Sequence, residues 1–261
     1  MGVLMLKLAG PLQSWGVDSR YLERKTRHEP TKSGVIGLLA AALGRRREDP
    51  VDDLAALRIA VRIDQPGRYE RDFQTAHPRR YSAEKQRSDF IKKASGTLES
   101  LPLTNRYYVA DAVFVVAIEV ADELLPAYSD ALLHPAFPLY LGRRSCAPSD
   151  KVLLACHEGL GLVEALERQP WQATNRQLLR RHRKEDHVRL EVLRDVLPGG
   201  EGTRVAEFVR DVPLSFSQEH RMYDLRAVVH ERISVKNPHV DKATELDTTP
   251  HDPMALLEGM N

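Results

Sequence analysis

Residues 1–16 read MGVLMLKLAGPLQSWG and contain the clearest strand signal in the sequence. Within this stretch, Val3 to Leu8 forms an apolar run in which Lys7 is the one polar side chain, without a clean alternation of apolar and polar residues. A run of this kind is typical of a strand that is buried on both faces, so we predict a central strand of a sheet. The run leads into a turn from Gly10 to Gly16 and then into a cationic stretch, before any helix begins.

A helix is predicted at SGVIGLLAAALG, residues 33–44, where apolar side chains and three alanines leave hardly any polar face. Helices that are apolar nearly all round are buried, so we expect this helix to lie against the sheet. Thr31 or Ser33 is a suitable N-cap, and Gly44 is suited to the position just after the helix end. Gly34 adds a small-residue position that permits close approach.

The next segments continue the alternation of strands and helices. Residues 56–77 alternate apolar and polar side chains around a turn at 65–67, which predicts a hairpin. Residues 105–120 predict a strand, and 121–135 predict a second helix with Pro126 in its first turns, where proline is tolerated. A loop and another strand follow. The order strand, helix, strand, strand, helix, strand predicts an α+β fold with a ferredoxin-like (RRM-like) βαββαβ domain.

Changes in composition indicate the domain boundaries. We predict a ferredoxin-like domain over residues 1–160, with an inserted thumb hairpin or arm at about 76–104, and a smaller β-rich extension over 161–236. Residues 237–261 carry five acids against one lysine and have little apolar periodicity. We therefore expect a loosely ordered acidic tail there.

The predicted extension holds one short helix and two strands. The helix is expected at 161–169 and the strands at 187–196 and 222–235. Between them, RQLLRRHRK (176–184) places five cations around His182.

Charge is unevenly distributed along the chain. The whole sequence has a formal net charge of +1, whereas residues 1–47 carry nine Lys or Arg against three acids. A concentrated basic region in a near-neutral chain suits a protein that binds a polyanion on one face. A solvated charged surface is the alternative for any single basic run.

The sequence argues against several classes of protein. Cys146 and Cys156 lie ten residues apart without metal-ligand spacing, which argues against a zinc site or a disulfide framework, so we expect a reducing compartment and no cofactor or metal. The apolar run at residues 1–8 is too short for a signal peptide, and no stretch approaches the roughly 18 apolar residues of a membrane span. A cytoplasmic protein without a membrane partner is therefore expected.

Residues 30–37, PTKSGVIG, superficially resemble a nucleotide-binding P-loop, but Thr26 and Thr31 stand where that motif requires glycine, so ATP binding is not expected. Free backbone N–H groups at a helix N-terminus beside a lysine still form a cradle for a phosphate. The alternative is that the same residues simply cap the helix. The residues predicted for the cradle are Lys32, Ser33 and Gly34.

Three further features of the sequence are relevant to RNA binding. Trp15 is either a base-stacking residue or part of the core. The polar segment 76–96 interleaves aromatic and basic residues, which favours an arm that follows a nucleic acid backbone. Arg143 and Arg144 directly follow a Leu-Gly turn in YLGRRSCAPS (140–149), and arginine suits bidentate phosphate contacts. The basic residues of the arm include Arg79, Arg80, Lys85 and Arg87.

Sequence support for catalysis is weak. The ten histidines show no metal-ligand spacing, and no Gly-x-Ser-x-Gly motif occurs. A metal-independent endoribonuclease needs a general base and a general acid, and His28 with Tyr21 and Lys25 is the set that would supply them. This remains the alternative to a non-catalytic protein.

Four stretches together resemble a known family. They are LKLAGPLQSWG (6–16), PTKSGVIGLLAAALG (30–44), YLGRRSCAPS (140–149) and, more loosely, VPLSFSQEHRMYDLRAVV (212–229). In order and spacing they are similar to the Cas-five family, the CasD-type subunits of type I-E CRISPR Cascade, within the repeat-associated mysterious protein (RAMP) superfamily. The first three stretches carry the resemblance, and the rest of the chain matches in layout more than in sequence.

The resemblance implies a ferredoxin-like RNA-binding fold with a long thumb and a non-catalytic role in antiviral defence. It implies binding of the 5′ handle of CRISPR RNA at one end of the Cascade backbone, which the protein caps. The implied partners are the backbone subunit CasC, the large subunit CasA and target DNA. The RNA-binding residues expected on this basis are Gly10, Pro11, Gln13, Ser14, Trp15, Lys32, Ser33, Gly34, Arg45, Arg79, Arg80, Lys85, Arg87, Arg106, Arg143, Arg144 and Ser145.

Two rival functions stay open. A sister family in type I-C systems cuts precursor CRISPR RNA with tyrosine, lysine and histidine, the last two adjacent, but this sequence contains no Lys-His dipeptide. A generic RNA-binding module outside CRISPR explains the charge but leaves the ordered series of motifs to coincidence.

Overall fold

The computed structural model describes residues 1–16, 23–75, 103–196, 206–217 and 219–240. The predicted thumb lies outside the described residues except for its last positions, and so do Tyr21 and the four basic residues expected in the arm, Arg79, Arg80, Lys85 and Arg87. Most of the predicted acidic tail also lies outside them. Its first residue, Asn237, is buried and its side-chain amide donates to the carbonyl oxygens of His182 and Glu185.

The described residues form one mostly antiparallel sheet with helices on its faces. The strands are β1 (Gly2–Gln13), β2 (Glu23–Arg24), β3 (Ile59–Gln65), β4 (Arg68–Thr75), β5 (Leu103–Val120), β6 (Leu153–Glu158), β7 (His187–Val196), β8 (Glu207–Ser215) and β9 (Met222–Lys236). The helices are α1 (Lys32–Ala42), α2 (Asp52–Ala55), α3 (Leu125–Leu133), α4 (Leu162–Arg168) and α5 (Arg176–Arg181). The mixture of helices with a mainly antiparallel sheet agrees with the predicted class.

Strand β1 is central, as its apolar run predicts. The sheet order is β6-β1-β5-β3-β7-β9-β8, so β1 pairs with β5 on one side and β6 on the other. Leu4, Leu6 and Leu8 enter one core, while Val3 and Met5 enter a second core on the opposite face. Burial of both faces explains why the sequence of this strand shows no alternation.

Helix α1 closes the first core and follows its predicted boundaries. Thr31 is the N-cap, and its hydroxyl accepts the N–H of Gly34. Leu43 is the C-cap, and Gly44 follows with a φ of +79°, a backbone conformation that glycine adopts without strain. Helix α3 also forms where predicted, with Pro126 in its first turn.

The predicted hairpin at residues 56–77 is wrong. Strands β3 and β4 do not pair with each other, because both are antiparallel to β5 and therefore run in the same direction along it. The 18-residue β5 is long enough to pair with β4 through its first half and with β3 through its second. At the intervening Gly67, φ is +71°, and an added Cβ would lie 2.6 Å from the carbonyl oxygen of Ala110. The chain therefore kinks close over β5 at this point instead of reversing.

The second core holds α4 and the segment after it. The buried guanidinium of Arg62 pairs with Asp64 and donates to backbone carbonyls of residues 166, 169 and 170. The indole N–H of Trp171 donates to the carbonyl oxygen of Asp64 at 2.8 Å. These contacts fix the start of the C-terminal part against β3.

A buried ionic network joins the last strands to α1. Asp195 on β7 accepts from the ammonium of Lys32 at 3.1 Å, and Asp211 on β8 pairs with the guanidinium of Arg226 on β9. Arg226 also pairs with Asp195. Burial acts to lower the pKa of Arg226, but the hydrogen bonds and charges of the two aspartates raise it above its ordinary value. Across the described ranges, no helix has the length and apolar character needed to cross a bilayer.

Candidate nucleic-acid interface

Two of the motif stretches, residues 6–16 and 140–149, are brought together at one end of β1. The N–H of Ser149 donates to the carbonyl oxygen of Ala9 at 2.9 Å, and the N–H of Ser14 donates to that of Leu141 at 3.0 Å. A Cβ added to Gly10 would lie 2.8 Å from the carbonyl oxygen of Ala147, so the small residue permits this approach. The loop that carries the two arginines is thus fixed against the turn that follows β1.

Gly142 makes the closest of these approaches. Its φ is +87°, and an added Cβ would lie 1.8 Å from the carbonyl oxygen of Ser14. Only glycine combines that backbone conformation with the absence of a side chain. Gly142 therefore sets the direction in which the next residue, Arg143, leaves the turn.

Arg143 lies next to two other arginines, Arg24 and Arg106, and to the aromatic ring of Tyr108. We call these four residues the Arg143 cluster. The Arg143 guanidinium lies over the ring of Tyr108, 4.7 Å from its centroid, and donates to the carbonyl oxygen of Arg24 at 2.7 Å. Arg24 pairs with Arg106 in a parallel register between β2 and β5, and Arg106 and Tyr108 lie two residues apart on one face of β5. Three arginines from distant parts of the sequence thus share one surface.

Two nitrogen atoms of the Arg143 cluster are buried without a hydrogen-bond partner among the described residues. They are Nε of Arg106 and Nη1 of Arg143. A buried donor without a partner costs about 1–3 kcal/mol, and more when it is charged. A phosphate oxygen is an acceptor that suits such guanidinium groups.

Further cationic and aromatic side chains lie on the adjoining loop, residues 25–30. The backbone of Arg27 pairs with that of Trp15, and its guanidinium pairs with Glu29 at 3.2 Å. The exposed ring of His28 lies 3.9 Å, centroid to centroid, from the ring of Tyr69 on β4. Burial, together with the charge of Glu29, raises the pKa of Tyr69. Lys25 and Arg24 expose their side chains on the same loop and strand.

Gln13 and Trp15 have structural roles in the turn. The amide of Gln13 is buried and donates to the carbonyl oxygens of Leu8 and Ala112. The Trp15 side chain is fully buried in the first core, and its indole N–H donates to the side-chain oxygen of Gln13 at 3.2 Å. The structure therefore decides for the core alternative at Trp15, because a ring without exposed surface cannot stack on a base.

The phosphate cradle predicted at the start of α1 is occupied by the protein itself. The N–H of Lys32 donates to the carboxylate of Asp211, and the ammonium of Lys32 pairs with Asp195. The Ser33 hydroxyl donates to that of Thr31, and Gly34 packs closely on Trp15. The capping alternative is therefore correct, because carboxylates take the place that an anionic ligand would need.

The remaining predicted residues divide between the cluster and other surfaces. Ser14 lies in the turn and its hydroxyl donates to the carbonyl oxygen of Tyr107, while Arg144 and Ser145 are exposed beside Arg143. Pro11 is exposed near the end of β1. Arg45 lies beyond the opposite end of α1, where it forms a two-pronged ion pair with Asp53.

Sequence reasoning missed Arg24 and Tyr108. A signal for Tyr108 was available, because the alternation of Arg106 and Tyr108 in a predicted strand places both on one face. Arg24 was counted in the basic region, but its position beside β5 depends on a two-residue parallel pairing that no local pattern announces.

The residues suggested for catalysis do not form a complete constellation in the described part of the chain. His28 contacts Tyr69, Lys25 is exposed, and Tyr21 lies outside the described residues. No group of three His, Cys, Asp or Glu side chains within the described ranges is arranged to hold a metal ion.

Known proteins resemble this chain in sequence and in structure. The CRISPR system Cascade subunit CasD of Escherichia coli (strain K12) is 37% identical over 152 residues, which are 55% of this chain and 66% of CasD, just under two thirds of that subunit. A chain of a CRISPR RNA-guided surveillance complex superposes with a TM-score of 0.68 at 30% identity, over 92% of this chain and 93% of that one. A solved structure described as a Cas protein superposes with a TM-score of 0.61 at 34% identity, over 91% of this chain and 97% of that one.

The family model described as CRISPR-associated protein (Cas_Cas5) matches residues 3–229. That range includes all four residues of the Arg143 cluster and the nine described strands, apart from the first residue of β1 and the end of β9. The chain therefore belongs to the Cas5 family of CRISPR-associated proteins.

Proposed function

We propose that this protein is a non-catalytic CRISPR RNA-binding subunit of a Cascade surveillance complex. On this proposal it binds the 5′ handle of the CRISPR RNA and caps one end of the backbone filament. The observation that carries the proposal is the Arg143 cluster, in which two buried guanidinium nitrogens have no hydrogen-bond partner in the described part of the chain.

The chemistry of the cluster favours a phosphate backbone as its ligand. Arg106 and Arg143 each have one buried donor without a hydrogen-bond partner among the described residues, while Arg24 and Arg144 are exposed and make no ion pair with a described residue. Guanidinium groups bind phosphate oxygens through parallel hydrogen bonds, and each neutralised phosphate releases counterions. Affinity at this site should therefore fall steeply with salt concentration.

The proposal includes a ferredoxin-like unit over residues 1–160 with a β-rich extension over 161–236. The strand order β6-β1-β5-β3, with α1 between β1 and β3 and α3 between β5 and β6, supports this unit. A thumb between β4 and β5 is part of the same proposal. It is supported by the pairing of Thr75 with Leu103, since this pairing brings the two ends of the intervening segment side by side.

We also propose that the partners are the backbone subunit CasC, the large subunit CasA and target DNA in the assembled complex. The supporting observation is that CasD is described as a subunit of Cascade. A reducing cytoplasm is the proposed compartment, which agrees with the free thiols of Cys146 and Cys156.

The experiment replaces both arginines of the loop, Arg143→Ala with Arg144→Ala, and titrates repeat-derived RNA by filter binding at several salt concentrations. We expect weaker binding and a smaller salt dependence, with the slope of log K against log [salt] reduced by roughly 0.7 per lost contact on single-stranded RNA. Thermal unfolding of the variant checks that the chain remains folded.

The matched control is Arg46→Ala with Arg47→Ala, which removes the same charge beyond the far end of α1. An equal loss of RNA affinity in both double variants would show that the Arg143 cluster contributes only non-specific charge attraction. Unchanged affinity and slope for the Arg143 and Arg144 variant would remove the cluster from the RNA site. Incubation of the purified chain with repeat RNA in EDTA tests the rival enzyme: specific cleavage that disappears in His28→Ala would overturn the non-catalytic proposal.

A further inference from the structure

The ribbon formed by β4 and the first half of β5 carries exposed aromatic side chains that the Arg143 cluster does not use. Tyr69, Arg71 and Phe73 follow one another at every second position of β4, and Asn105 and Tyr107 do so on β5. We call these five residues the aromatic ladder.

The strand register places the five residues of the aromatic ladder on one face. Arg71 pairs directly with Tyr107, and Phe73 pairs directly with Asn105, while Tyr69 pairs with Val109. Residues paired across an antiparallel ribbon point to the same side, and residues two apart on one strand do so as well. Arg106 and Tyr108 of the Arg143 cluster therefore lie on the opposite face.

Two of the three rings of the aromatic ladder are open to solvent. Phe73 exposes 69% of its surface and Tyr69 exposes 51%. Every residue of β4 from Arg68 to Phe73 is exposed, while Asn105 and Tyr107 on β5 are half-buried and the ring of His28 lies beside that of Tyr69. Large aromatic side chains left open in a row indicate an interaction surface.

The composition of the aromatic ladder favours nucleobases over an apolar protein surface. The guanidinium of Arg71 makes no ion pair with a described residue and lies opposite the ring of Tyr107, so a cation alternates with rings along the face. Single-stranded nucleic acids are bound by such a combination, in which bases stack on aromatic rings and on guanidinium planes. The amide of Asn105 adds groups that can hydrogen-bond a base edge.

The aromatic ladder is continuous with the cationic loop. The ring of His28 lies 3.9 Å from that of Tyr69, centroid to centroid, so Tyr69 connects the loop to the ribbon. From Tyr69 to Phe73 the strand advances four residues, about 14 Å at 3.4 Å per residue. This length is suited to a few nucleotides of extended single-stranded RNA that continue from the loop at residues 25–30.

We infer that the aromatic ladder is a stacking platform for the bases of single-stranded RNA, separate from the phosphate contacts of the Arg143 cluster. The inference rests on the proposed RNA-binding function and adds to it a second face with a different chemistry. Because every base has a stacking face, the aromatic ladder binds with little dependence on sequence.

The experiment measures binding of the full chain to two labelled RNAs of equal length, one derived from the repeat and one unrelated, and to abasic versions of both. Phe73→Ala is expected to weaken binding of each intact RNA by about 5-fold or more, with the salt slope unchanged because no phosphate contact is lost. Phe73→Tyr keeps a ring and should retain most of the affinity. Phe73→Ala should not alter binding of the abasic RNAs.

Phe208→Ala is the matched control, because Phe208 is 66% exposed on the distant edge strand β8 and has the same side chain. Equal affinities of Phe73→Ala and the unchanged chain for the intact RNAs would overturn the inference, as would an equal loss in Phe208→Ala. If Phe73→Ala instead impairs only association with a protein partner, the aromatic ladder is a protein interface and the inference is wrong. Phe73→Ala could weaken binding of the repeat RNA and of the unrelated RNA equally, while the unchanged chain binds the two with equal affinity. That result would contradict binding of the 5′ handle but would support the stacking platform. If the unchanged chain binds neither RNA, both the handle-binding proposal and the stacking platform are wrong.

Discussion

The backbone N–H of Lys32 donates a hydrogen bond to the carboxylate of Asp211, 179 residues later in the chain, with an N···O distance of 2.7 Å. This contact places a carboxylate at the N-terminus of α1, where the positive end of the helix dipole favours negative charge. The same carboxylate binds Arg226, so one residue joins the first helix to the last strands.

Removal of this carboxylate should destabilise the protein. In Asp211→Ala the guanidinium of Arg226 and the helix end lose a buried partner, and breaking a buried ion pair in this way costs about 3–5 kcal/mol. Urea unfolding followed by circular dichroism measures the change in the free energy of unfolding. Asp211→Asn keeps an acceptor for the N–H of Lys32, so its free energy of unfolding should fall less than that of Asp211→Ala.

Glu207→Ala is the control for Asp211, because Glu207 lies on the same strand but is exposed, 3.5 Å from His230. A surface pair of this kind contributes at most about 1 kcal/mol. Equal losses in the two alanine variants would show that the Asp211 network does not hold the C-terminal strands.

Gly142→Ala should disrupt the loop that presents Arg143. The positive φ alone costs about 1–2 kcal/mol for a residue with a side chain. The new Cβ would also meet the carbonyl oxygen of Ser14, which forces the loop and the turn apart. We expect a lower melting temperature and weaker RNA binding, measured by thermal unfolding and by titration.

Gly159→Ala separates the two causes of that effect. Gly159 has a φ of +68°, but an added Cβ meets no atom within 4 Å, so this variant carries the backbone cost alone. RNA affinity should stay unchanged in Gly159→Ala. If both glycine variants lose the same stability and the same affinity, the close approach of Ser14 to Gly142 has no special role.

Replacement of residues 76–102 by Asn-Gly should leave the rest of the fold intact. Thr75 and Leu103 are directly paired, and a two-residue turn of this type connects paired positions of an antiparallel ribbon. We expect a cooperative thermal transition and impaired assembly with the backbone subunit, measured by co-purification. Loss of the transition would show that the replaced segment is needed for folding.

Much of the fold is predictable because local patterns encode it. The apolar run at Val3–Leu8, the nearly all-apolar helix α1 and the glycine at position 44 each have one plausible structural meaning. The alternation at Ile59, Val61 and Ile63 correctly indicates a strand. It does not indicate the partner of that strand, and so the hairpin prediction failed: the turn signal at Gly67 marks a kink over β5.

The candidate site shows the same division. Arg143 and Arg144 stand out in the sequence because two arginines follow a glycine turn, and Arg143 lies in the cluster that we propose as the RNA site. Lys32 stands out equally, yet it is paired inside the protein, because Asp195 and Asp211 arrive from strands that lie far away in the sequence. Charge composition cannot tell an arginine or lysine that is already neutralised from one that is free.

Local patterns were enough to predict the family motifs, the central strand, the first helix and the loop that carries Arg143, since each depends on side-chain pattern or glycine conformation within a short stretch. Three features depended on contacts between distant segments: Trp15 is core, Asp211 closes the N-terminal end of α1, and the Arg143 guanidinium lies over Tyr108 and donates to the carbonyl oxygen of Arg24. The physical reason is that burial and charge pairing are properties of contacts between distant segments, and strand register, which sets those contacts, is not encoded in any single segment.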